Sequence, residues 1–324
     1  MYVKCGFELS MTVANEEFQN ILFEFYRGDD YISEIEDEYT DHSLSDKGIT
    51  ITYRNSRYKK KVKLIVNADR DSLSVSKLGK AISDYFEKEY SIDDFTLSGM
   101  RISTDIKVGS RADVHSYMKI MKRIGRIKKF TPYDSDEFDG GDVFYLRGNS
   151  NGIDFLVYDL EGVTVGRLTK SRCSYKDITL ASDDVKGKLR AEVRLTKSRT
   201  VAAYTESLCI ADQLEELFKK QRSILVSIFA KIIPYGDFYK KEDADEIVRT
   251  AVKDQKLCRR MLRLLALIPE KKSLHLAQKE MHCRSIDDVM LAFTKINLSP
   301  VTISKRQDAK HLKNIYDHLL KECV

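Results

Sequence analysis

Period-two alternation of apolar and polar residues runs through the first two hundred residues of the chain and then gives way to another rhythm. Phe7-Glu8-Leu9-Ser10-Met11-Thr12-Val13, residues 48–56 and residues 188–195 all alternate in this manner. Side chains on a strand point to opposite faces in turn, so such segments bury one face only as strands of a sheet. Beyond about residue 205 the spacing becomes helical: Leu214, Leu217, Phe218, Ile224, Leu225 and Ile228 mark one long helix. Further helices are expected over residues 242–253, 257–267, 274–281, 285–296 and 308–320. A single change of period predicts an α+β chain, with an antiparallel sheet followed by an all-helical domain.

The strand-rich part states its plan twice. A strand over residues 7–13 leads into a helical run opened by Asn15-Glu16-Glu17-Phe18, and residues 100–108 lead likewise into a helix opened by Ser110-Arg111-Ala112-Asp113. Residues 48–56 and 142–150 then end alike, in Arg followed by Asn-Ser turn chemistry, and each passes into a second strand. The expected boundaries are therefore 1–95 for a first strand-helix-hairpin repeat, 96–204 for a second and 205–324 for the helical domain. Within that last domain, residues 290–316 present a helix, a break at Asn297-Leu298-Ser299-Pro300 and a basic second segment. That pattern reads either as a structural helical hairpin or as a DNA-reading helix-turn-helix.

Composition narrows the function classes. With 324 residues, 42% of them hydrophobic, the chain has material for two or three cores. Its six cysteines include no CxxC pair, which suits a reduced, cytoplasmic protein. No run approaches a membrane span, the six histidines form no HExxH pattern, and no GxxxxGK[ST] loop is present. The net charge is only +5, but nine Lys or Arg against two Asp lie between Arg101 and Phe130. Acid is segregated too, with eight Asp or Glu and no cation between Gly28 and Asp46. The segment Met118 to Phe130 has six cations and no acid, and an apolar stripe of Ile120, Ile124 and Ile127 leaves Lys119, Lys122, Arg123 and Arg126 for phosphates. Tyr58-Lys59-Lys60-Lys61 and the set Lys253, Lys256, Arg259, Arg260 and Arg263 are further basic patches. Each patch serves equally as an ordinary solvated face.

Three strands carry reactive groups on a face expected to be polar. Asp105 shares its face with Arg101, Ser103 and Lys107; Tyr158 shares one with Asp154; and Glu192 lies between Arg190 and Arg194. Two carboxylates are hard oxygen ligands suited to Mg²⁺ or Mn²⁺, and a phenol needs a nearby cation to become a nucleophile at neutral pH. Arg190 and Arg194 either clamp phosphate oxygens or pair with neighbouring carboxylates. Tyr145 and Tyr175 are alternative phenols.

The runs Met100-Arg101-Ile102-Ser103-Thr104-Asp105-Ile106-Lys107-Val108, residues 148–159 ending in Val157-Tyr158-Asp159, and Leu189-Arg190-Ala191-Glu192-Val193-Arg194-Leu195 resemble blocks of the replication initiation factor family. These are rolling-circle initiators and relaxase-like proteins of plasmids, phages and integrative elements. The resemblance covers residues 95–200 and, less specifically, the helical tail. It implies a DNA nicking-joining endonuclease in which Tyr158 is the nucleophile and forms a 5′-phosphotyrosine link. Asp105 and Glu192 would help hold the divalent cation, with origin duplex and single strand as partners. A separate helicase is implied by the missing P-loop, and a homodimer is compatible with this reading. The family's Tyr-Asp pair is often followed by Lys, whereas Leu160 follows Asp159 here. The alternatives are a DNA-binding regulator on the same fold that has lost cleavage, and a structural or protein-interaction module.

Overall fold

The structure is a computed structural model that describes residues 2–14, 38–56, 61–69, 74–138, 140–282 and 286–321. The helix expected after Asn15, most of the acidic block and residues 57–60 of the basic hairpin lie outside these residues. The fold is α+β, with a nine-stranded antiparallel sheet in the order β2-β3-β4-β1-β5-β9-β8-β7-β6 and helices mostly toward the C-terminus. The strands are β1 Lys4–Ala14, β2 Glu38–Asp41, β3 Ile49–Ser56, β4 Lys61–Asp69, β5 Thr96–Lys107, β6 Phe130–Pro132, β7 Val143–Gly148, β8 Ile153–Asp159 and β9 Lys188–Leu195. The meanders β2-β3-β4 and β6-β7-β8 are each antiparallel. The chain divides into two compact units: Lys4–Ile102 with Arg194–Ile224, and Met1–Val3 with Ser103–Val193 and Leu225–Val324.

The first unit grows from the alternation in β1. Cys5, Phe7, Leu9 and Val13 are buried, and Leu9 pairs with Val66 of β4, which in turn pairs with Ile51 of β3. Helix α1 (Val75–Tyr85) is capped by Ser74 and buries Val75, Leu78, Ala81 and Ile82. Beside this core, Tyr85 donates to Asp41 at 2.6 Å and its hydroxyl lies against that of Tyr53. Burial pushes both phenols well above their ordinary range.

In the second unit the order is β5-β9-β8-β7-β6. Helix α2 (Arg111–Ile124) starts in a capping box, Ser110 with Asp113, and buries Val114, Tyr117, Met118, Ile120, Met121 and Ile124. It ends earlier than the basic run suggested. Gly125 adopts φ 60 and ψ −139, a conformation that costs glycine least, so Arg126 through Phe130 are not helical. Helices α3 (Leu160–Lys170) and α4 (Tyr175–Val185) follow β8, and neither is among the helices expected from the sequence. Helix α5 (Ser198–Ala202) belongs to the first unit. Helix α6 (Ile210–Ile232) presents the predicted stripe, and in its second half Phe229 packs edge-on to Phe155 of β8 with ring centroids 5.7 Å apart.

The helical region continues with α7 (Lys241–Ala251), α8 (Gln255–Lys271), α9 (Leu274–Glu280), α10 (Asp287–Lys295) and α11 (Ile315–Lys321). It is not purely helical: β10 (Phe238–Tyr239) and β11 (His311–Leu312) form a small antiparallel ribbon. The helix expected over residues 308–320 starts only at Ile315. Both readings of residues 290–316, the hairpin and the helix-turn-helix, fail for this reason. The stretch after Pro300 buries the β-branched Val301, Thr302 and Ile303 as extended chain, tied by Gln307, which donates to the Ser116 carbonyl at 3.3 Å.

Candidate functional site

Three strands of the second unit bring Asp105, Tyr158, Arg190 and Glu192 into one cluster. Asp105 comes from β5, Tyr158 from β8 and both Arg190 and Glu192 from β9. Arg190 donates through Nε to Asp105 Oδ1 at 2.6 Å and through Nη2 to Oδ2 at 2.9 Å, a two-pronged pair. The Tyr158 hydroxyl donates to Glu192 Oε2 at 3.5 Å, and the Arg190 charge also acts on Tyr158. Strand β9 is therefore the hub: Arg190 reaches Asp105 of β5 and Glu192 reaches Tyr158 of β8.

Burial decides how this cluster behaves. Tyr158 is 3% exposed and Glu192 4%, so neither faces open solvent as strict alternation had suggested. The reason is that β8 is covered on both sides. Phe155 and Val157 belong to one core, while Leu156 and Tyr158 sit in a second with Phe138, Leu160 and Val163. Phe138 lies over Tyr158 with ring centroids 5.0 Å apart. Burial raises the Tyr158 pKa and the Glu192 charge adds to this, while Arg190 and Arg167 pull in the opposite direction without reversing the rise. For Arg190, burial disfavours the charge, but the Asp105 bonds outweigh it and hold the guanidinium above its ordinary range.

The remaining sequence candidates are distributed elsewhere. Lys122 is engaged by Asp142, which also lies 3.3 Å from His115 Nδ1. Arg123 is half-buried, and burial lowers its pKa. Lys119 and Arg126 are exposed. Arg194 belongs to the first unit, where it lines a cavity of about 660 Å³ with Arg101, Glu8, Asn67 and Asp69. Of the alternative phenols, Tyr145 donates to buried Asp154 at 2.8 Å, and Tyr175 is 86% exposed at the start of α4. Arg167 and Phe138 escaped the sequence reading. Arg167 belongs to a helix that was not anticipated, and Phe138 comes from an irregular loop.

The cluster does not fit a resident divalent cation. Both Asp105 oxygens accept from Arg190, so a metal there would have to displace a cation already bonded to its ligand. Among the described residues no group of three or more His, Cys, Asp or Glu gathers as a metal site. Chemically, the arrangement instead offers a phenol with a carboxylate base within reach and an arginine to attract the phenolate or a phosphate oxygen.

No protein-family model, curated protein or solved structure matches this chain. The functional reading therefore rests on the cluster itself and on the sequence blocks that form it. Among the described residues no helix is long and apolar enough to cross a membrane.

Proposed function

We propose that this chain is a DNA strand-nicking protein of the rolling-circle initiator type, with Tyr158 as nucleophile. One observation carries the reading: three blocks far apart in sequence, chosen for their residues alone, meet on β9 through the pairs Arg190–Asp105 and Tyr158–Glu192. Glu192 would accept the Tyr158 proton, and Arg190 would stabilise the phenolate and then the charge on the attacked phosphate. The phenolate oxygen bonds to phosphorus as the bond to the 3′ oxygen breaks. The departing 3′ oxygen takes the proton from Glu192, leaving a 5′-phosphotyrosine and a free 3′-hydroxyl. Asp105 acts through Arg190 as a positioning residue. Strand separation would fall to a separate helicase, since the sequence has no P-loop.

The test is to incubate purified protein with a pool of short single-stranded DNAs, with Mn²⁺ or with EDTA, and to read intact mass. A covalent adduct at Tyr158 that forms in EDTA supports this reading. An adduct that needs Mn²⁺ keeps the nucleophile but shows that a metal takes part in the reaction. The second reading, a DNA-binding regulator without cleavage, draws support from the 3% exposure of Tyr158. Salt-sensitive DNA binding with no adduct under either condition would favour it.

A further inference from the structure

The turn that ends α2 is pinned to the turn between α8 and α9. Ser273 Oγ donates to the Arg126 carbonyl at 2.9 Å, and His275 N–H donates to the same oxygen at 3.4 Å. Gly125 fits closely against this turn, since a Cβ there would lie 2.4 Å from the Lys272 carbonyl oxygen. The result is a group of cations from segments about 150 residues apart. Arg126, Lys128, Lys272 and Lys279 are exposed, and His275 is half-buried among them. Burial lowers the His275 pKa, and the charges that lower it further, Lys279, Arg126 and Lys128, are all cationic. The nearby Glu280 carboxylate lies 3.9 Å from Lys271.

We infer that the surface formed by Arg126, Lys128, Lys272, His275 and Lys279 grips the phosphate backbone of duplex DNA, apart from the tyrosine cluster. The inference rests on the proposal that DNA is the partner. Cations held side by side repel one another, and a polyanion relieves that repulsion while releasing its own counterions. Single-strand sites add aromatic rings on which bases stack, whereas this group consists of ammonium, guanidinium and imidazole on a surface turn. Such a surface fixes a duplex through its phosphates without reading its bases.

The experiment is fluorescence anisotropy of the full-length protein with a labelled duplex of arbitrary sequence over a range of salt, for wild type and the double variant Lys128→Glu/Lys279→Glu. Each lost phosphate contact lowers the slope of log K against log salt by roughly 0.9, so the double variant should lose about 2 in slope and bind at least tenfold more weakly. Lys128→Gln/Lys279→Gln, checked by thermal melting, provides a gentler variant with the same expected direction should charge reversal disturb folding. Unchanged affinity and slope in a folded variant would overturn the inference, as would wild-type protein with no salt-sensitive duplex binding. The adduct on short single strands is read separately. An intact adduct with an unchanged duplex slope removes only this inference, whereas duplex binding without any adduct removes only the cleavage reading.

Discussion

At the scale of single residues, Tyr158 has what a nucleophile needs nearby and an environment that resists its ionisation. Burial and Glu192 raise its pKa, so under the proposed reaction the phenolate would form together with proton transfer to Glu192 and attraction by Arg190. Tyr158→Phe should abolish the covalent adduct while leaving DNA affinity within twofold, as read by intact mass and anisotropy on the same preparation. Glu192→Gln keeps the shape and removes the base, and the rate of adduct formation should fall by about 10²–10⁴-fold. Adduct formation at the wild-type rate in that variant would remove Glu192 from the mechanism. Asp142 gives a prediction of another kind. The Lys122 ammonium holds its carboxyl below the usual range against the effect of burial, with His115 helping. Stability from this pair is complete above the unfolded-chain value of about 3.9 and is lost as the pH falls through the depressed folded value. Melting temperatures of wild type and Asp142→Asn should therefore converge as the pH drops below about 4.

At the scale of elements, β8 explains why a strand rule located the residues correctly and their surroundings incorrectly. Alternation correctly placed Phe155 and Val157 on one face and Tyr158 on the other with Asp154, but it cannot tell whether the second face meets water. In this chain that face is closed by Phe138 and by Leu160 and Val163 of α3. Phe155, fully buried against Phe229, should cost about 3–5 kcal/mol when replaced by alanine, measured by chemical denaturation. The end of α2 shows another limit. Residues 118–130 read as one basic helix because cations favour helices, yet Gly125 stops it where it meets Lys272.

At the scale of the whole molecule, the compact units are not consecutive stretches of sequence. The unit that holds the tyrosine cluster takes Ser103–Val193 and then resumes at Leu225. Its β8 core depends on that later segment through Phe229, against which Tyr316 also packs with centroids 5.1 Å apart. A chain ending at residue 224 should therefore fail to fold this unit, with loss of the near-ultraviolet circular dichroism of its aromatic core. A truncated protein with a native-like spectrum would show that the helical segment is dispensable.

The sequence by itself determined the class of fold and the chemistry available. Period two followed by period 3.6 dictates strands and then helices, because a side chain's face depends only on local backbone geometry. Asp105, Tyr158, Arg190 and Glu192 were legible for the same reason, each set by its own strand. Only the tertiary structure decided that Arg190 bonds to Asp105, that Tyr158 is roofed by Phe138, and that Arg126 and Lys128 join His275 and Lys279. Those relations depend on which distant segments pack together, and burial, ion pairing and shifted pKa values follow from that packing.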